Sequence, residues 1–302
     1  MNGPVLSFAG LGEAAGISLE GSLAIGSDAH KTLFCRTLLD TFNPYRPAVL
    51  DWPKLDDMAR ERLVSLPIWD IAVQTEGKAG LRVKTYGEQV ADPLLAEAIA
   101  LNAFEERRHK YVLANLVQAY GIALAPEPVY VKPRDAEWAF MVTGYSECID
   151  SFFAFGLFEI ARRSGFSPPE LVETFEPVMQ EEARHILFFV NWAAWHSRNL
   201  AWWGRRPWFG LRRLGVWAFL IWERLSLARD VNDNAQDNNF TVTGANMVGL
   251  KVTLSELLDL CVSENERRLA LCDSRLLRPR LVPTLVRFAH RFLGGANRFA
   301  RA

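Results

Sequence analysis

The chain is poor in cysteine and has no close cysteine pair. Cys35, Cys148, Cys261 and Cys272 are scattered over its 302 residues without a Cys-x-x-Cys spacing. That spacing suits free thiols in a reducing compartment better than a disulfide framework or a zinc knuckle. Excess charge of one sign is missing as well. The net charge is -1, which gives no bulk electrostatic basis for holding nucleic acid. Long apolar runs are also lacking. The longest, "LGVWAFLIW" at 214–222, is bounded by Arg212, Arg213, Glu223 and Arg224. It falls far short of the roughly 20 residues that span a bilayer. The first sixteen residues have neither the basic start nor the continuous apolar stretch of a secretion signal. These absences predict a cytoplasmic protein. Strict polar–apolar alternation is absent too, so no segment reads as a strand, and no repeat of solenoid period occurs.

What remains is a helical pattern almost throughout. Residues 1–28 are glycine-rich and read as irregular. A short helix is predicted from about Ala29 to Thr41, and a second in "KLDDMARERLVSL", broken at Pro67. Four long helices follow. The first runs over about 68–90. The second runs over 93–120, opened by Asp92 as N-cap with Pro93 in its first position and closed by Gly121. After a connection containing Pro126, Pro128 and Pro133 comes the third, about 135–163, which stops at Ser164-Gly165. The fourth starts at Ser167 with Pro168 and Pro169 in its first turn and reaches about 198. Four helices of this length with a short link inside each pair predict an all-α four-helix bundle. The predicted organisation is an N-terminal extension with short helices (1–67), the bundle (68–198), and tryptophan-rich and basic C-terminal helices packed on it (199–302).

The chain has only five histidines, and two of them sit in nearly the same string. "EERRH" covers 105–109 and "EEARH" covers 181–185. On a helix, residues three apart share a face, so Glu106 with His109, and Glu182 with His185, can each aim a carboxylate and an imidazole at one point. Antiparallel helices joined by a short turn match residues equidistant from that turn. Reflecting Glu106 through position 91 gives Glu76. Reflecting Glu182 through Ser164-Gly165 gives a position near Glu147. Asp70, Glu61, Asp150 and Glu159 fit these reflections less well. The sum is four glutamates and two histidines converging from four helices. Carboxylates with imidazoles suit iron or manganese rather than thiolate-preferring metals.

With these motifs, residues 68–198 resemble the ferritin-like di-iron carboxylate superfamily. The Glu-Glu-x-Arg-His form is most similar to bacterial multicomponent monooxygenases and acyl-carrier-protein desaturases. The resemblance implies Glu76, Glu106, His109, Glu147, Glu182 and His185 as ligands of two Fe ions, with Fe/Mn as a variant. Glu106 and Glu182 would be the bridging carboxylates. It also implies that Glu105 binds His185 and that Glu181 binds His109, with Arg108 and Arg184 neutralising the pair. Ser151, one turn after Glu147, would stand where those monooxygenases place a hydroxyl in the oxygen pocket.

The function expected from the resemblance is an oxygen-activating di-iron oxidoreductase acting on a small hydrophobic organic or acyl substrate. Hydroxylation or N-oxygenation fits first and desaturation next. A ferroxidase or other iron-handling protein, and a non-catalytic metal binder, are the alternatives. The missing Cys-x-x-Cys pairs disfavour a rubrerythrin-type peroxidase. Expected partners are the substrate, O2 and an electron-donor protein, with no nucleic acid; a homodimer is an allowed assembly. Seven of the ten tryptophans fall within 192–222 and are expected to dock the tail helices. The last 29 residues carry seven arginines and no acid. They could form a basic helix that touches a membrane surface or a carrier protein.

Overall fold

Local signals set where the long helices begin and end. The computed structural model describes residues 23–66, 68–165, 168–229 and 253–288. Asp92 accepts a hydrogen bond from the Leu95 amide at 3.0 Å and opens the helix Pro93–Tyr120. Such a cap is worth ~1 kcal/mol. Gly121, at φ 67°, closes it in the left-handed conformation that glycine adopts without penalty. Asp135 caps the helix Ala136–Ser164 through the Trp138 amide, and Gly165 ends it in the same left-handed way.

The helices in chain order are α1 (Asp28–Asp40), α2 (Asp57–Val64), α3 (Trp69–Gly87), α4 (Pro93–Tyr120), α5 (Ala136–Ser164), α6 (Pro169–Asn199), α7 (Arg205–Arg229) and α8 (Leu254–Leu269). Residues 281–288 form a further helical segment, α9, and Pro47–Val49 a single 3-10 turn. No strand occurs among the described residues. The break between α2 and α3 falls around Pro67, which, like Ser167, lies outside the described residues. So do residues 1–22 of the glycine-rich start and 289–302 of the basic end.

α3 packs along α4, α5 packs along α6, and α3 also meets α5. α1 lies across α4 and α6. α7 and α8 both dock on α5 and α6. The interior is aromatic. Tyr86 stacks on Phe140 at 4.6 Å, and Trp192 meets both edge-on. This packing leaves no room beside Gly144, where a Cβ would lie 2.1 Å from the Phe189 ring. At Gly156 a Cβ would lie 2.4 Å from Cys261 Sγ, so glycine there lets α8 approach α5.

One expectation for the tail needs correction. Trp192 is fully buried, and Trp195 and Trp217 are partly buried against the core. Trp202, Trp203, Trp208 and Trp222 instead stand in solvent. α7 docks with Phe209, Val216 and Leu220. Composition counted the tryptophans without showing which side of the helix carries them. No described helix is long and apolar enough to cross a membrane.

Candidate metal centre

Four ionisable side chains meet in the space between α4 and α6. Glu106, His109, Glu182 and His185 are all buried, and each offers an atom within 4.8 Å of the others. His109 Nδ1 lies 3.0 Å from Glu182 Oε1, and His185 Nδ1 lies 2.8 Å from Glu106 Oε1. Each histidine therefore faces the glutamate of the other helix rather than its own. The outer two glutamates complete the ring. Glu76 of α3 stands 3.7 Å from His109 Nδ1, and Glu147 of α5 lines the same crevice as His185. All six residues picked from the motifs and reflections are thus brought together.

Behind the imidazoles lies a second ring. His109 Nε2 is 2.8 Å from Glu181 Oε2, and His185 Nε2 is 2.8 Å from Glu105 Oε2. Arg108 donates to Glu181 at 2.6 Å and Arg184 donates to Glu105 at 2.7 Å. These charges are all buried, which is tolerable only because each is paired and hydrogen-bonded. The remaining guanidinium donors reach the N-terminal segment. Arg184 donates to the Leu38 carbonyl at the end of α1 and to the Thr41 hydroxyl. Arg108 donates to the carbonyls of Asn43 and Tyr45, and its guanidinium sits 4.0 Å from the Tyr45 ring. The Tyr45 hydroxyl in turn donates to Glu181 at 3.4 Å.

The metal-free cluster is short of positive charge. Burial, reinforced by the charges of Glu106 and Glu182, pushes Glu76 up to about 8 against the pull of His109. Burial and the same two neighbours hold Glu147 well above the carboxylate range. Glu182 moves the other way: burial opposes its charge, but His109, His185 and the Ser151 hydroxyl outweigh it. Burial would lower both histidines, yet Glu181 and Glu182 raise His109, and Glu105 and Glu106 raise His185. Glu105 drops to about 2, because His185 and Arg184 overcome its burial. Protons thus sit where cations would compensate the carboxylates.

The donor set fits a metal on two further counts. Glu106 Oε1, Glu147 Oε1, His109 Nδ1 and His185 Nδ1 are buried without a hydrogen-bond partner, although the imidazole nitrogens come close to carboxylates. Converging carboxylate and imidazole groups, with Glu147 Oε1 left without any partner, suit a cation between them. Each imidazole is also oriented through its far nitrogen by a carboxylate, the arrangement that fixes metal-ligating histidines.

Ser151 reaches the cluster itself. The Ser151 hydroxyl donates to Glu182 Oε2 at 3.0 Å. The crevice beside Glu147 and His185 is lined instead by Asn102, Phe140, Thr143, Phe188 and Phe189. It is too narrow to admit a water molecule. Phe152 and Phe155 belong to the core. Thr143, whose hydroxyl is buried without a partner, was not reached from the sequence. Its signal was its place one turn before Glu147 on the face that also carries Ser151 one turn after it. Tyr45 carried no local signal, because its partners lie on α4 and α6. His196 bonds Glu137 at the end of α6, away from the cluster.

The structure defines an all-helical protein with a buried glutamate–histidine cluster able to hold a metal ion. No family model, curated protein or solved structure matches the chain.

Proposed function

We propose that α3, α4, α5 and α6 form a ferritin-like four-helix bundle around a di-iron centre, and that the protein is an oxygen-activating oxidoreductase of small hydrophobic substrates. One observation carries the reading. Two Glu-Glu-x-Arg-His segments present interchangeable halves, each imidazole held at 2.8 Å by the first glutamate of the other segment. A generic single-ion site needs no such duplication, whereas a pair of ions does.

Glu76, Glu106, His109, Glu147, Glu182 and His185 would hold the two ions, Fe/Fe or Fe/Mn. A bound pair would supply two electrons to O2. The chain's own residues do the rest. Glu105 and Glu181 fix the imidazoles at Nε2 and leave Nδ1 for the cluster. Arg108 and Arg184 balance those carboxylates. Ser151 orients Glu182. Phe140, Phe188 and Phe189 keep water from the Glu147 side. An electron-donor protein would be needed for turnover.

A second reading, a ferroxidase, draws on the closed crevice, which as it stands admits neither water nor an organic substrate. Elemental analysis tests the shared premise: about two Fe (or Fe with Mn) per chain are expected. The Glu106→Ala/Glu182→Ala protein should hold none, and full occupancy in it would end the metal assignment. Single-turnover oxygen uptake by the reduced protein, with and without lipid extract, then separates the readings. An oxidised organic product supports the oxygenase. Uptake accompanied only by a growing ferric mineral supports the ferroxidase.

A further inference from the structure

His30 is fully buried, yet it belongs to neither ring of the cluster. Both of its nitrogens are used. The Gly26 amide donates to Nδ1 at 3.2 Å, so that nitrogen carries no proton. The proton is therefore on Nε2, which donates to Asn191 Oδ1 at 2.8 Å. The orientation of the Asn191 amide is fixed independently. Its oxygen also accepts from the Leu277 amide at 2.8 Å, and its nitrogen donates to the carbonyls of Leu187 and Leu277. One neutral imidazole thus joins the turn at Gly26, the start of α1, the last turns of α6 and the segment after α8.

The surroundings offer nothing to a second proton. On α6, the Arg198 side chain lies against Gly26 and adds positive charge near the ring. On α1, Asp28 is exposed and bonded to Lys31, which also reaches Asp92. After α8, Asp273 is bonded to Arg275, and Arg278 donates to the carbonyls of Leu269, Cys272, Asp273 and Leu276. Phe34 meets the imidazole edge-on at 5.3 Å. Among the described residues, no carboxylate is bonded to the ring. A proton on Nδ1 would face the Gly26 N–H donor to donor, in a place closed to solvent. Burial, opposed by the Asn191 bond and assisted by Arg198, accordingly holds His30 below its ordinary 6.5.

We propose that His30 is an acid-sensitive latch, which fastens the N-terminal segment and residue 277 to α6 while neutral and frees them when protonated. The latch is independent of what the cluster binds, but its release would reach the cluster from outside. The far end of α1 supplies the Leu38 carbonyl and the Thr41 hydroxyl to Arg184, which stands behind His185 through Glu105. Two measurements on the full chain test the proposal. Nitrogen NMR of the imidazoles, with His30 assigned through its own backbone, should show a neutral ring protonated at Nε2 near about pH 7. Hydrogen exchange of peptides from 23–41, corrected for its intrinsic pH dependence, reads the opening. Opening exposes a ring that titrates at 6.5 and takes up one proton, so it should rise up to about tenfold from about pH 7.5 to about pH 5.5. That sign is opposite to the sign of the raised carboxyls in the cluster. His30→Gln keeps a donor for Asn191 but cannot titrate, and it should remove the rise. A charged ring or a proton on Nδ1 in the first measurement overturns the proposal. So does wild-type exchange that stays level with pH, or a rise as steep in His30→Gln as in wild type.

Discussion

The two halves of the cluster use the same parts in unequal surroundings. Glu76, Glu106 and His109 come from α3 and α4; Glu147, Glu182 and His185 come from α5 and α6. Their inner geometry nearly coincides, down to the 2.8 Å contact behind each imidazole. Their outer contacts do not. Glu182 receives a hydroxyl hydrogen bond from Ser151, while Glu106 Oε1 faces only His185 Nδ1 at 2.8 Å and receives no hydroxyl. Glu147 borders the crevice with Thr143 and Glu76 does not. Arg184 is tied to the end of α1, whereas Arg108 is tied to the loop after it and to the Tyr45 ring. The shared inner part is what the proposed pair of ions would require. The unequal outer part is where two such ions would differ in access and affinity.

The largest effects should come from breaking the second ring. Glu181→Leu and Glu105→Leu each strand an arginine and a histidine in the core. Each should cost the metal-free protein about 3–5 kcal/mol in urea unfolding. Equal costs would support matched halves; a large imbalance would break the comparison.

Next comes pH. Glu76 rises from 4.5 to about 8 on folding, and Glu147 is raised in the same sense. Groups with raised folded values stabilise the protonated fold, so that stability is present below pH 4.5 and is lost as pH climbs through about 8. The raised histidines act with the same sign. Glu105, lowered to about 2, acts oppositely and only as pH falls from 4.5. Metal-free protein should therefore lose stability from about pH 4.5 to 8. Glu76→Gln should remove the part of that slope ending near pH 8, Glu147→Gln should flatten it further, and bound metal should reverse the trend. Chemical unfolding at several pH values, with and without Fe(II), reads each slope.

The smallest effect sharpens the comparison most. Ser151→Ala removes a donor found in one half only. It should lower affinity for one of two ions about tenfold and leave the other unchanged, as seen in metal competition. Thr143→Val, which breaks no hydrogen bond, should leave both unchanged.

Much of this was legible in the sequence where the physics is local. Asp92, Pro93 and Gly121 mark the bounds of α4 because caps act within a turn. Glu106 and His109 share a face because helical geometry depends only on spacing. Matching heights across a short turn added Glu76 and Glu147. What escaped depends on distant chain. Tyr45 meets Glu181 across 136 residues. The outward tryptophans of α7 could be assigned a side only after the helix had docked. Ser151 and Thr143 flank Glu147 by one turn each, and spacing alone did not distinguish the carboxylate-bonded hydroxyl from the one lining the crevice.

The grip of Arg108 and Arg184 on residues 38–45 bears on how small this protein can be made. The four long helices look like a detachable module. Yet cutting the chain at residue 68 would strip both guanidinium groups of the carbonyls that satisfy them. The same cut would expose the pairs behind both imidazoles. The smallest piece able to assemble the cluster therefore starts no later than α1, and the N-terminal strap is as much a part of the centre as the helices that carry its ligands.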